Sequence, residues 1–202
     1  LLSKILMESC EANVNNFPRC RLYTFFAIAD LANVSNFAVS LAGNAKFLEE
    51  MILIAQEKKK IMIVPGVRRI DFIETPMIIL ANLAQHHRGH QLRELLLKGG
   101  VRNALIGFIK KYFKDIAEGN ETQLRIKTVR QMAFSTALLC DSGFGILKAS
   151  EDFVDANDVI AHFFDKTNDP MIHVNGVLAL FNFARHPNSP CLSIICSESM
   201  IL

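Results

Sequence analysis

The residues most suited to chemistry lie in one short run, His86-His87-Arg88-Gly89-His90, with Glu94 four positions further on. If a single helix passed through this run, His86, His90 and Glu94 would share a face, and histidines at that spacing can bind zinc. Gly89, however, stands where a helix is expected to break. A histidine near a helix C-terminus is also stabilised by the helix dipole without any metal. We therefore interpret the run as polar residues at a helix end, and we assign no metal and no cofactor.

Motifs for catalysis are absent from the chain. It contains no GxSxG elbow, no P-loop, no HExxH and no GxGxxG, which are the local signatures of nucleophilic, phosphate, zinc and dinucleotide chemistry. Cys140 and Cys191 lack a histidine and an acid arranged nearby for nucleophilic catalysis, and a cysteine on an apolar helix is usually a core residue. The sequence therefore predicts a protein that is not an enzyme.

The elements that position these residues follow from an apolar composition. Of 202 residues, 50% are hydrophobic, the net charge is +2, and there are only 10 glycines and 6 prolines, which excludes a disordered or low-complexity chain. Five cysteines without a CxxC spacing argue against a disulfide scaffold. Reduced thiols favour an intracellular and cytoplasmic protein, with cytoskeletal, ciliary or nuclear association left open.

One sequence pattern occurs four times along the chain. Its best copy is Leu80-Ala81-Asn82-Leu83-Ala84, and the others are centred on Asn182, Asn33 and, less closely, Cys140. The intervals between these centres are 49, 58 and 42 residues, near the roughly 40–47 residues of helical repeats. An insertion at 112–123 explains the long interval.

Local patterns fill in the helices between these centres. Apolar residues spaced three to four apart predict helices at 101–116 and 124–139. Asp169-Pro170 predicts a helix start, as does Thr75-Pro76. Gly99-Gly100 predicts a break. Strand-like alternation is confined to Ile61–Val64, which we interpret as a connection.

The residues around Asn82 resemble the armadillo repeat family, whose third helix ends in a motif close to Ala-Leu-x-Asn-Leu-Ala. In that family a short turn, a first helix ending in glycine and a second helix follow, and Leu95-Leu96-Leu97-Lys98-Gly99-Gly100-Val101 fits this order. The resemblance implies an all-α, right-handed armadillo-like or HEAT-like α-solenoid that is a fragment of a longer array. We divide residues 1–202 into a cut unit 1–43, units of approximately 44–87, 88–143 and 144–187, and a cut unit 188–202.

The resemblance also implies a binding groove. In armadillo proteins that bind extended peptides, asparagines at this motif position line the concave face and pair with the peptide backbone. The matching residues here are Asn33, Asn82 and Asn182, and we add Arg88 and Arg130 as candidate contacts. The chain has no tryptophan, which argues against binding of a basic peptide between stacked tryptophans. The alternative is that each asparagine bonds a neighbouring helix end, because buried amides need partners.

Charge is distributed unevenly along the chain. Residues 51–130 hold 15 Lys+Arg and 7 Asp+Glu, whereas the remaining residues are net acidic. Because sequence distance maps onto distance along a solenoid axis, the middle units are predicted to be basic and to suit an acidic partner. Ordinary solvated helix faces are the alternative. The basic residues are Lys58, Lys59, Lys60, Arg68, Arg69, Lys110, Lys111 and Lys114.

The sequence therefore predicts a non-catalytic interaction scaffold or adaptor that binds a protein, as an extended peptide or a folded surface, along its concave face. A large cytoskeletal or ciliary assembly would suit such an array. One alternative is a nucleic-acid-associated repeat protein, which is less favoured because aromatic residues are not interleaved with the basic ones. Another is a regulatory subunit or domain of an enzyme. The apolar stretch 22–43 is long enough to span a bilayer, but its central polar residues favour a buried helix.

Overall fold

In the computed structural model, residues 18–58, 68–86, 90–120, 125–140, 163–164 and 169–185 are described. Within these ranges the chain is helical and contains no strand, which confirms the all-α prediction. The stretch Ile61–Val64 and the predicted unit 188–202 lie outside them. The helices are α1 (Pro18–Leu31), α2 (Ser35–Ala42), α3 (Ala45–Ala55), α4 (Arg69–Gln85), α5 (His90–Lys98), α6 (Val101–Ala117), α7 (Ile126–Leu139) and α8 (Pro170–Ala184).

The helices pack in series rather than around one centre. Helix α1 contacts α4, α4 contacts α7, and α7 contacts α8; beside them α2 contacts α5, and α3 contacts α6. Helices that follow one another also touch, as in α3 with α4 and α6 with α7. Each helix from α1 to α4 therefore packs against the helix three places later in the chain.

A single apolar core connects these helices. Residues at helical spacing are buried on every helix, so that each helix hides one stripe against its neighbours. Fully burying a large apolar side chain contributes about 1.5–3 kcal/mol, and each helix needs its neighbours to bury its apolar stripe. The aromatic members of this core are Phe25, Phe47, Phe72, Phe108, Tyr112, Phe113 and Phe163.

The predicted break at Gly99-Gly100 is confirmed, because α5 ends at Lys98 and α6 begins at Val101. Gly100 has a φ of 72°, in the left-handed region that favours glycine. A Cβ atom on Gly99 would lie 2.6 Å from the Cδ1 atom of Leu48. The two glycines therefore permit both the sharp turn and the close approach of α3.

Two sequence-based expectations need correction. Thr75-Pro76 does not begin a helix: α4 starts at Arg69 and continues through Pro76. The Thr75 hydroxyl donates to the Asp71 carbonyl one turn earlier, and burial of Phe72 and Ile73 holds the first turns in place. The apolar stretch 22–43 is two helices instead of one. No single helix in the described ranges is long and apolar enough to cross a membrane; α1 and α2 meet the criterion only as a pair, bent by 118°.

Candidate functional site

The predicted groove asparagines form hydrogen bonds within the protein. Asn82 on α4 is buried, and its Nδ2 donates to the Ala29 carbonyl of α1 at 2.9 Å. Asn182 on α8 is also buried and donates to the Ala137 carbonyl of α7 at 2.8 Å. Both carbonyls lie in the last turn of their helices, where intrahelical donors run out. These two side chains therefore bond a neighbouring helix end, which is the alternative interpretation of the motif.

The third asparagine behaves differently. Asn33 follows the end of α1, is exposed, and donates to the Ala29 carbonyl of its own helix at 3.3 Å. It therefore shares an acceptor with Asn82. The arrangement caps α1 twice, once from within the helix and once from α4.

Sequence reasoning missed the residue that continues this series between α4 and α7. The buried Ser135 hydroxyl donates to the Ala81 carbonyl at 2.9 Å, and the amide of Gln131 donates to Asn82 Oδ1. Cys140, the predicted equivalent, is buried just past the end of α7. If position 135 replaces 140, the intervals become 49, 53 and 47 residues, and this greater evenness is the signal that points to Ser135.

A charged cluster joins α4 to the start of α7. The Glu74 carboxylate is buried and accepts hydrogen bonds from the Arg125 backbone N–H at 3.1 Å and from Arg125 Nε at 2.7 Å. It also accepts one from the Thr128 hydroxyl at 2.6 Å. Asp71 pairs with both Arg125 and Arg68. Glu74 therefore supplies the N-terminal cap that α7 lacks in its own sequence.

A second capping carboxylate lies at the start of α8. Asp169 accepts hydrogen bonds from the backbone N–H groups of Met171 and Ile172 at 3.0 and 3.3 Å, as the Asp169-Pro170 pattern predicts. Arg130 of α7 donates to the same carboxylate through Nε and Nη2, the shorter contact being 2.8 Å. The hydrogen bond from Arg130, assisted by those backbone donors, holds the pKa of Asp169 below its usual 3.8 despite partial burial. Arg130, a predicted groove contact, thus ties α7 to α8.

Substituting Asp169 with asparagine tests the charge of this cap, because asparagine keeps the side-chain acceptor. A depressed folded-state pKa contributes stability above pH 3.8, the value of the unfolded chain, and the contribution is lost as the pH falls through the lower folded value. We expect Asp169→Asn to lower the free energy of unfolding by about 0.3–1 kcal/mol at neutral pH. The difference from wild type should shrink below pH 3.8, as measured by urea denaturation at several pH values. A difference that stays constant across this range would contradict the assignment.

The ion pairs at the starts of α4, α7 and α8 share one property, which is the relative exposure of their two members. The acid is covered and the arginine is exposed: Glu74 is 2% exposed against 55% for Arg125, Asp71 18% against 66% for Arg68, and Asp169 12% against 46% for Arg130. A molecule that approaches from solvent therefore meets guanidinium groups before carboxylates. Each of these pairs is neutral in total, and the arginine is its more exposed member.

An open groove with a volume of about 460 Å³ lies where α1, α4 and α7 meet. Tyr23 and Phe26 form its α1 wall, and both are exposed, with their rings edge to face at 6.4 Å. Sequence reasoning missed these two aromatic residues, although their spacing of three places them on one helix face. The groove is lined by Leu22, Tyr23, Phe26, Arg68, Asp71, Glu74, Thr75, Ile78 and Arg125.

The exposed surface of α1, α4, α7 and α8, which we call the stacked-helix surface, carries most of the large apolar side chains that reach solvent. Phe181 on α8 lies under the guanidinium of Arg185 at 6.0 Å, the distance of a cation–π contact. Among the described residues away from these four helices, the exposed large apolar ones are Val34, Val39 and Ile116. On the stacked-helix surface they are Tyr23, Phe26, Ile126, Phe134, Met171, Val174, Val177 and Phe181.

The predicted basic patch is partly neutralised where the structure describes it. Lys111 pairs with Glu57 at 3.3 Å and Lys114 with Glu118 at 3.8 Å, while Arg68 pairs with Asp71. Lys58 is exposed and Lys110 is half-buried. Residues Lys59, Lys60 and Arg88, and the side chain of Arg69, lie outside the description. The charges of Lys111, Lys114 and Arg68 are therefore partly compensated by neighbouring acids.

His86 and His90 do not lie on the same helix. Helix α4 ends at Gln85, with His86 as its C-cap residue, and a new helix begins at His90. The predicted break within this run is therefore confirmed. Among the described residues, no three side chains of His, Cys, Asp or Glu are grouped to hold a metal ion.

No protein-family model matches the chain, and comparisons with curated proteins and with solved structures found no match. The class of the protein therefore rests on its own geometry. Its described residues form an all-helical chain with buried polar bonds between stacked helices, and with aromatic and arginine side chains on the exposed surface of those helices.

Proposed function

We propose that this chain is an armadillo-like, right-handed α-solenoid module that acts as a non-catalytic scaffold or adaptor and binds a protein partner on its stacked-helix surface. The packing order supports the architecture. Contacts of each helix with the one three places later are what three-helix units produce when they stack. In this arrangement α2–α4 and α5–α7 are consecutive units, and α1 and α8 are the third helices of the units that flank them.

The observation that carries the binding function is the placement of exposed apolar side chains. Eight of the eleven exposed large apolar side chains that the structure describes lie on α1, α7 and α8. Helices α2 and α6 expose only Val39 and Ile116. Groups of exposed apolar side chains are typical of protein interaction sites. Tyrosine, phenylalanine and arginine are also the residue types that carry binding energy at such sites.

The charge on this surface indicates the partner's chemistry. Arg68, Arg125 and Arg130 are each more exposed than the acid that they pair with. The surface therefore suits a partner that carries carboxylates, in line with the acidic partner expected from the sequence. An intracellular, cytoplasmic location stays a prediction, as does association with a cytoskeletal or ciliary assembly.

A charge-insertion experiment tests the proposed surface. The double variant Phe134→Glu/Phe181→Glu alters exposed side chains of α7 and α8. The matched control Val39→Glu/Ile116→Glu alters exposed side chains of α2 and α6. Both variants should keep the helical circular dichroism of the wild type. In affinity capture with quantitative mass spectrometry, we expect the first variant to lose the specific partners by about tenfold or more, and the control to retain them. Equal retention of the captured partners by both variants would contradict the proposal.

A further inference from the structure

We infer that the groove between α1, α4 and the start of α7 binds a short, extended acidic segment of a partner protein, anchored by an aromatic side chain. This inference rests on the proposed function and adds one defined site to the stacked-helix surface. The groove is the size of a ligand pocket, which is generally about 300–1,000 Å³. It therefore accommodates a few side chains of an extended segment rather than a folded domain.

The apolar part of the groove provides the anchor point. Tyr23 and Phe26 stand on one face of α1, with Ile78 of α4 half-buried beside them and Leu22 buried below. Their edge-to-face rings leave an apolar surface open to solvent. An aromatic side chain that packs on this surface would bury area on both partners and add favourable ring contacts. An anchor of this kind typically carries much of the binding energy of a short segment.

The charged part of the groove selects acidic residues. The four charges are balanced, but Glu74 accepts three hydrogen bonds from Arg125 and Thr128, and Asp71 accepts others from Arg68 and Arg125. These bonds use Nε and Nη2 of both arginines, and in the described structure the Nη1 group of each is left for a further acceptor. Both arginines are more than half exposed, and a guanidinium group pairs with carboxylates in a fork-like geometry. A lysine-rich segment would gain less, because both carboxylates already accept hydrogen bonds from the protein.

The groove is also held in shape before any partner arrives. The Glu74–Arg125–Thr128 cluster joins α4 to α7, and the Asn82–Ala29 hydrogen bond joins α4 to α1. A preformed site loses less conformational entropy on binding. The groove is therefore expected to bind a flexible segment without first rearranging its own helices.

The probe for this site is a fluorescein-labelled decapeptide of glutamate and aspartate with one central phenylalanine, followed by fluorescence anisotropy. We expect binding that weakens with added salt, because the arginine contacts are exposed. Replacing the acids by lysine, or the phenylalanine by alanine, should weaken binding by about tenfold. A single-stranded oligonucleotide of equal charge should bind more weakly than the peptide.

Matched variants locate the binding to the groove. Phe26→Ser and Arg68→Gln change exposed groove residues that make no buried hydrogen bond in the described structure, and each should raise the Kd about tenfold. The controls Val39→Ser and Lys114→Gln change exposed side chains of α2 and α6, away from the groove and from the stacked-helix surface, and should leave the Kd unchanged. Equal losses in both sets, or tighter binding of the lysine peptide or the oligonucleotide, would overturn the assignment. So would self-association of the chain through this groove, detected by size-exclusion chromatography.

The outcomes separate this inference from the proposed function. If the Phe134→Glu/Phe181→Glu variant loses its captured partners but the acidic peptide does not bind, the groove assignment fails and the proposed function stands. If the peptide does not bind and the capture experiment shows no loss, both fail. If the peptide binds and only the groove variants weaken it, the groove is established as the acidic-segment site.

Discussion

Replacing Glu74 by alanine is expected to lower the free energy of unfolding by about 2–3 kcal/mol. Removing one partner of a buried ion pair generally costs about 3–5 kcal/mol, and we take a smaller value because Arg125 is 55% exposed and keeps its contact with Asp71. The variant also leaves the Thr128 hydroxyl and the Arg125 N–H without their acceptor. Urea denaturation followed by circular dichroism measures the loss.

The control for this prediction is Glu94→Ala, which removes an exposed ion pair with Lys98 one turn away on α5. An exposed pair at this spacing contributes about 0.3–0.5 kcal/mol, so the two alanine variants should differ several-fold. Glu74→Gln keeps an acceptor for the helix cap and should fall between the wild type and Glu74→Ala. Similar stability losses for Glu74→Ala and Glu94→Ala would show that Glu74 does not join α4 to α7.

Replacing Asn82 by alanine is expected to lower the free energy of unfolding by about 2 kcal/mol. The substitution removes two hydrogen bonds, one to the Ala29 carbonyl and one from Gln131, and each contributes about 1 kcal/mol net. Both bonds join α4 to a neighbouring helix. Thermal and urea denaturation are the measurements, and the loss should appear in the isolated chain without any partner.

Asn33 provides the matched control, because it is exposed and bonds only its own helix in the described structure. Asn33→Ala should change the free energy of unfolding by about 0.5 kcal/mol or less. The pair of variants also separates the two interpretations of the asparagine motif. If Asn82→Ala kept wild-type stability but lost a bound peptide, the asparagines would be groove residues rather than caps of neighbouring helices.

Local properties of the fold were predictable from the sequence. The apolar spacing at 101–116 and 124–139 predicted α6 and α7, and Asp169-Pro170 predicted the start of α8. Turn chemistry at Gly99-Gly100 predicted the break between α5 and α6. These predictions succeeded because helical periodicity, caps and glycine turns act within a few residues. Pro76 failed as a signal because tertiary burial of Phe72 and Ile73 outweighs its local preference.

The candidate site was much less predictable. Asn82 and Asn182 were found as a repeated motif, but the choice between groove residue and helix cap depended on where their amides point. Tyr23 and Phe26 were overlooked because exposed aromatic residues on a helix look like core residues in sequence. Ser135 was overlooked because the motif search followed identical residue types, whereas the structure needs only a donor at that position.

The sequence by itself determined that the chain is helical, where several helices begin and end, and that its polar motif recurs about every 50 residues. Only the tertiary structure decided which polar groups meet. Glu74 and Arg125 are 51 positions apart, and Asn82 and Ala29 are 53 apart. Such contacts depend on the rotation and axial register of one helix against the next. That register is set by packing of the whole core, because a shift of a few residues changes every lateral partner while leaving the helical periodicity of each segment unchanged.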